Sequence, residues 1–140
     1  MIKRLTINDL NLIEIFISTQ NKVGFNGERV ESFLKNKANY FLAYIEKNMI
    51  VGYAIAYVLQ RYDGRESMMY LHEIEVAETS RKQGIGKALL SEMNRICGEN
   101  DFMKLFLITN KSNRPAIALY ESLQGETYSD DDIVYTFKLE

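Results

Sequence analysis

MYLHEIEVAETSRKQGIGKALL, residues 69–90, is the stretch around which the rest of the 140-residue chain can be read. Residues 69–77 are rich in β-branched, aromatic and other apolar side chains and predict a strand. Residues 78–84 turn polar and end on Gly84. From there Ile85, Leu89, Met93 and Ile96 or Cys97 recur at helical spacing, which predicts a helix to about Gly98 with its apolar stripe on a sheet. A strand that runs through a glycine turn into a helix leaves unpaired N–H groups and the positive end of the helix dipole at one point. That is the generic way to hold a phosphate.

Three kinds of phosphate turn share this layout, and two fail on the residues present. A P-loop, G-x-x-x-x-G-K-[ST], needs a hydroxyl for magnesium, but Gly86 and Lys87 are followed by Ala88. The dinucleotide fingerprint G-x-G-x-x-G has Leu89 where its third glycine belongs, and the next strand leads into Asn110 where an acidic ribose ligand is expected. What remains is Arg81-x-x-Gly84-x-Gly86.

Working outward, residues 2–5 predict a short first strand, and Thr6 with Asp9 reads as a capping box that opens a helix faced by Leu10, Ile13, Phe16 and Ile17. A polar turn precedes a second, shorter helix carrying Val30, Phe33 and Leu34. YFLAYIE and MIVGYAIAYVL, joined at Lys47 and Asn48, predict a β-hairpin, with Gly52 as a close-packing position. Residues 61–67 form a polar loop and a candidate substrate rim. After the central helix, residues 102–109 predict a strand, NRPAIALYESL a helix with Pro115 in its first turn, and IVYTFKL, residues 133–139, a closing strand. The order is β-α-α-β-β-β-α-β-α-β: an α/β domain spanning residues 1–140, with a mixed sheet covered by helices on both faces.

With these residues in place the chain resembles the GNAT superfamily of N-acetyltransferases, whose acetyl-CoA motif is R/Q-x-x-G-x-G/A after the fourth strand. In that family Asn-x-x-Ala-x-x-x-Tyr on the following helix completes the CoA site, and Asn113, Ala116 and Tyr120 have that spacing. GYAIAYVL, Glu73, SRKQGIGKAL and PAIALYESL followed by IVYTFKL look like the aminoglycoside 3-N-acetyltransferase branch over residues 51–139. One departure stands out. That branch has Leu-Gly directly after the tyrosine helix, whereas here Gln124 separates Leu123 from Gly125.

The resemblance implies acetyl-CoA as the donor and a small cationic amine as the acceptor, with aminoglycosides the candidate class. Arg81 and Lys82, with the turn and helix start at Gln83, Gly84, Ile85, Gly86 and Lys87, would take the pyrophosphate. The backbone of Ile74, Glu75 and Val76 would bind pantetheine where the strand splays from its neighbour. Glu73 matches the acidic residue near the acceptor amine, and Tyr120 the acid for the departing thiolate. Two other readings stand beside this one: acetylation of a protein N-terminus or lysine, and a non-catalytic acyl-CoA-binding module.

The residues themselves add to this. Glu73 and Glu75 at i and i+2 project from one face of a central strand, where unpaired carboxylates are costly. His72, the one histidine, alternates to the opposite face and reads as structural. Cys97, the one cysteine, reads as a buried helix residue and suits a reducing, cytoplasmic setting. A net charge of −2 does not favour nucleic acid, and no apolar run predicts a membrane span. No metal-ligand cluster, Ser-His-Asp or Cys-His arrangement is visible, so direct transfer in a ternary complex is expected. The acidic residues Glu126 and 130–132 would steer a polycation if they lie at the cleft mouth. A homodimer is the candidate assembly implied by the family.

Overall fold

The protein is described here by a computed structural model that covers residues 1–21 and 23–139. It groups into two compact units, Met1–Ile108 and Thr109–Glu140. The first unit holds a five-stranded mixed sheet in the order β1-β2-β3-β4-β5, with β1 Ile2–Arg4, β2 Asn39–Glu46, β3 Met49–Leu59, β4 Met68–Val76 and β5 Lys104–Leu107. β1 to β4 are antiparallel neighbours, and β5 is parallel to β4 across helix α3, Ile85–Glu99.

The β2–β3 hairpin turns on Lys47 and Asn48, both at positive φ (50° and 62°), with Glu46 paired to Met49. A two-residue turn of this kind twists with the strands it joins. Helix α1, Leu10–Phe16, is preceded by a 3-10 turn, Ile7–Asp9, closed by the expected capping box. The Thr6 hydroxyl accepts from the Asn8 amide, and the Asp9 carboxylate accepts from the Thr6 amide at 2.8 Å and from Lys3 Nζ at 2.6 Å. Burial raises the Asp9 carboxyl, but the Lys3 and Thr6 bonds outweigh it and hold it below the ordinary value. The helical path continues in a π-helical segment, Ile17–Asn21, and helix α2 follows at Gly27–Lys35.

The two sheet faces follow from alternation. Tyr53, Ile55 and Tyr57 of β3 pack with Ile13, Phe16, Phe33 and Phe41 in the cluster under α1 and α2. Ala54 and Ala56 point the other way, and α3 covers that side with Ile85, Leu89, Leu90, Met93, Ile96 and Cys97, all buried. Gly52 allows this closeness: a Cβ there would lie 2.8 Å from Ile85 Cγ2. Burial pushes the Cys97 thiol up to about 11, in keeping with an inert core residue.

The second unit carries helix α4, Arg114–Ser122. The closing strand expected over residues 133–139 does not form. Ile133, Val134, Tyr135, Phe137 and Leu139 are instead 66–90% exposed. Alternating apolar side chains supply a strand's face, but its backbone also needs a ladder partner, and the one partner of β5 in the sheet is β4. The mixed α/β class stands, with five strands among the described residues rather than the six expected.

Candidate active site

β4 is paired on its β5 side over Met68 to Leu71 alone, whose partners are Lys104 to Leu107. Beyond Leu71 no strand among the described residues pairs with that edge, so the backbone of Ile74, Glu75 and Val76 has no ladder partner on this side. On its β3 side the strand holds a bulge: Ile55 pairs with Glu73 but Ala56 pairs with Leu71, which leaves His72 without a partner. An extra residue breaks strict alternation. His72 therefore does not turn away from the acidic face as expected. Its ring lies 5.6 Å from Tyr70 and 5.9 Å from Tyr57, on the face that carries α1 and α2.

Glu73 and Glu75 do share that face. Both are exposed rather than buried, and neither makes a hydrogen bond or ion pair among the described residues. The cost expected of unpaired central carboxylates is thus avoided, because α1 and α2 lie over β2 and β3 and leave this part of β4 open. Their charge is still felt nearby. Burial first, and then Glu73 and Glu75, push the Tyr53 phenol up to about 12, so it stays protonated. Tyr53 sits directly across from Glu75 and is clamped edge-on by Phe16 at 5.2 Å.

β4 ends in a tight join. A 3-10 turn, Glu78–Ser80, leads to Arg81, whose Nε donates to the Val76 carbonyl at 3.0 Å. Lys82 (φ 63°) and Gly84 (φ 78°) both take left-handed backbone, and Gly84 is the N-cap of α3 with no side-chain cap. Only glycine adopts that conformation without strain. The first amides of α3, from Ile85 to Lys87, therefore open beside Arg81 and Lys82 with the positive end of the helix dipole behind them. Ile85 itself is buried, so its part in the turn is its amide.

Between this join and α1 lies a cleft of about 280 Å³, lined by Phe16, Gln20, Val51, Tyr53, Glu75, Val76, Ala77, Glu78 and Arg81. Three of these, Glu75, Val76 and Arg81, are among the candidates that the sequence offered. Tyr53 could have been found by laying β3 against β4, where it faces Glu75. Gln20, whose Nε2 donates to the Ile50 carbonyl at 3.1 Å, comes from the π-helical segment and leaves no pattern in the sequence.

In the second unit, Asn113 is the N-cap of α4: its Oδ1 accepts from the Ala116 amide at 3.3 Å, with Pro115 in the first turn. Two of the family-motif residues thus build the helix start. Burial raises the Tyr120 phenol. The extra Gln124 is also accounted for. It takes the left-handed position (φ 63°), its amide donates to the Glu121 carbonyl, and the Gly125 amide donates to the Tyr120 carbonyl at 2.9 Å. This is a Schellman ending with the usual glycine displaced by one residue.

A strand edge without a ladder partner running into an uncapped, glycine-started helix, with two bases in the turn, is an arrangement that can hold a phosphate. Residues 11–125 match the acetyltransferase (GNAT) family. The chain belongs to that family. Its activity is accordingly that of an acetyltransferase. Among solved structures, the aminoglycoside acetyltransferase meta-AAC0020 from an uncultured soil metagenomic sample, in complex with trehalose, has a TM-score of 0.85 at 26% identity, covering 100% of this chain and 96% of that one. In complex with sisomicin the match is 0.83 at 25% identity, with the same coverage. A ribosomal-protein-alanine N-acetyltransferase from Brucella melitensis biovar Abortus 2308, at 21% identity and a TM-score of 0.75 over 99% of each chain, shares the fold of this GNAT protein. No curated protein sequence matches it. Among the described residues no group of His, Cys, Asp or Glu could hold a metal, and no helix is long and apolar enough to cross a membrane.

Proposed function

We propose that this GNAT protein acetylates a primary amine of a small, cationic acceptor of the aminoglycoside class, with acetyl-CoA as the donor, as a single cytoplasmic catalytic domain. The observation that carries the reading is the bare second half of β4 feeding directly into the uncapped start of α3. The residues present fit the donor: Gly84 opens the turn, the amides up to Lys87 are free of side-chain caps, and Arg81 and Lys82 add positive charge. Asn113, Ala116 and Tyr120 are assigned to the same donor through the family pattern. Acetyl-CoA supplies the activated acyl group.

The roles of the side chains follow from their environments. The main chain of Ile74, Glu75 and Val76 orients the pantetheine arm as an added strand would. The acceptor arrives as an ammonium and has to lose a proton before its nitrogen can attack. Glu73, free of competing partners on the open face, takes that proton at a carboxylate oxygen, directly or through a water. Tyr120, kept protonated by burial, donates its hydroxyl proton to the departing sulfur. Supporting the acceptor class are the unpaired Glu73 and Glu75 and the fold neighbour whose structure contains sisomicin.

Thiol release in the presence of acetyl-CoA, measured over a panel of aminoglycosides, polyamines and peptides, tests the reading. Turnover with aminoglycosides that falls by roughly 10²–10⁴-fold in Glu73→Gln is expected, the usual span for a general base. Turnover confined to peptides would replace the acceptor class, and an unchanged rate in the variant would remove Glu73 from its role.

A further inference from the structure

The bulge that turns His72 toward the acidic face does more than correct a side-chain direction. It completes a row of rings beside Glu73. Tyr57 and Tyr70 are direct partners across β3 and β4, His72 lies against both, and Tyr70 stacks on Phe106 of β5 with ring centres 5.2 Å apart and planes 28° apart. Phe33 of α2 closes the inner end by meeting Tyr57 edge-on at 6.0 Å. The outer side is open: His72 is exposed and Tyr57, Tyr70 and Phe106 are half-buried. Tyr57 also packs in the core cluster under α1 and α2, whereas Tyr70, His72 and Phe106 lie outside it.

The chemistry of the row points to its occupant. Ring faces attract cations, and this row already takes one: Lys104 Nζ lies 5.5 Å from the centre of Phe106. Next to His72 along β4 stands the carboxylate of Glu73, which makes no ion pair among the described residues. The phenol hydroxyls of Tyr57 and Tyr70 and the imidazole of His72 add hydrogen-bonding edges between the ring faces. An acyclic polyamine would want carboxylates spaced along its length, whereas here Glu73 and Glu75 are two residues apart and the rest is aromatic. A ring that presents apolar C–H faces, hydroxyls and ammonium groups together matches the sequence of surfaces.

We propose that Tyr57, Tyr70, His72 and Phe106 form a subsite for a cationic amino-sugar ring of the acceptor, next to the ring whose amine is acetylated at Glu73. The assignment rests on the acetyltransferase reading for its function but not for its binding. The row selects ring-bearing amines and holds the acceptor while Glu73 handles the proton.

Because His72 is the one histidine, its imidazole Cε1 proton gives a single unambiguous NMR signal. Adding sisomicin without any donor is expected to shift that signal saturably, and adding 1,4-diaminobutane at equal concentration is not. No shift with sisomicin, or equal shifts with both amines, would overturn the subsite whether or not the protein acetylates either. A shift in a protein that turns over no amine would instead overturn the acetyltransferase reading and leave the subsite standing. In kinetics, Tyr70→Ala and His72→Ala should each lower kcat/KM for sisomicin about tenfold more than for the diamine, through KM rather than kcat. Tyr70→Phe, which keeps the ring, should recover most of that loss. Equal losses for the two acceptors, with no recovery in Tyr70→Phe, would mean that the rings are structural only.

Discussion

Replacing Gly52 by alanine should disturb the donor turn from behind. Gly52 pairs with Val76 and lies beneath the first turn of α3, where an added Cβ would sit 2.8 Å from Ile85 Cγ2 and 3.4 Å from both the Glu75 carbonyl oxygen and Leu89 Cδ1. Carbon atoms rest at about 3.5–4.0 Å, so the methyl overlaps Ile85 by roughly 0.7–1.2 Å. Ile85 is 3% exposed and Leu89 fully buried, which leaves neither free to swing into solvent. Relief has to come from lifting the start of α3 away from the sheet, and with it the amides that follow Gly84. Overpacking of this kind costs about 1–3 kcal/mol, equivalent at this chain length to a fall in Tm of roughly 3–10 °C. The same displacement should raise the KM for acetyl-CoA more than the KM for the amine, because misplacement by a fraction of an ångström at a binding turn is expensive. Circular-dichroism melts and initial rates at saturating amine read the two effects. Gly98→Ala, at the far end of the same helix with nothing within 4 Å of the added methyl, is the control and should hold or raise Tm. If Gly52→Ala left both Tm and the KM for acetyl-CoA unchanged, the claim that β3 sets the height of the donor turn would be refuted.

Two further outcomes follow from the pairs already described. Asp9→Asn should destabilise the protein by about 1 kcal/mol at neutral pH by weakening the capping box and the Lys3 pair. Since the folded Asp9 carboxyl lies below its ordinary value, its contribution is present above the unfolded aspartate pKa of about 3.9 and disappears as pH falls through the lower folded one; urea titrations of both proteins should therefore converge in acid. Gln124→Gly should raise stability by about 0.5–1 kcal/mol, because a left-handed residue with a side chain is strained and glycine at that C-cap position is not, and an unchanged or lower midpoint would argue against the Schellman ending.

The sequence made the elements legible where side chains repeat with the period of one packed face. The α3 stripe from Ile85 to Cys97, the β2–β3 hairpin and the Thr6–Asp9 cap all declare themselves this way, since each is fixed by residues a few positions apart. What stayed hidden depends on partners distant in the chain. Alternation alone put His72 on the wrong face, because a bulge is a mismatch between two strands and neither strand shows it by itself. The same limit applied to residues 133–139, whose pattern is that of a strand although no ladder receives it. The turn between β4 and α3 was legible through Gly84, where left-handed backbone restricts the residue type. The surroundings of Glu73 and Glu75 were less so: their exposure depends on where α1 and α2 lie, and the aromatic row beside them is assembled from three strands.

The most direct test of the donor site is calorimetric titration of acetyl-CoA into the full chain and into Arg81→Ala. Saturable binding to the natural protein is expected, weakened by about tenfold or more in the variant as a charged contact to phosphate is lost. No binding heat with the natural protein, or equal affinity in both, would contradict the assignment of this join as the acetyl-CoA site.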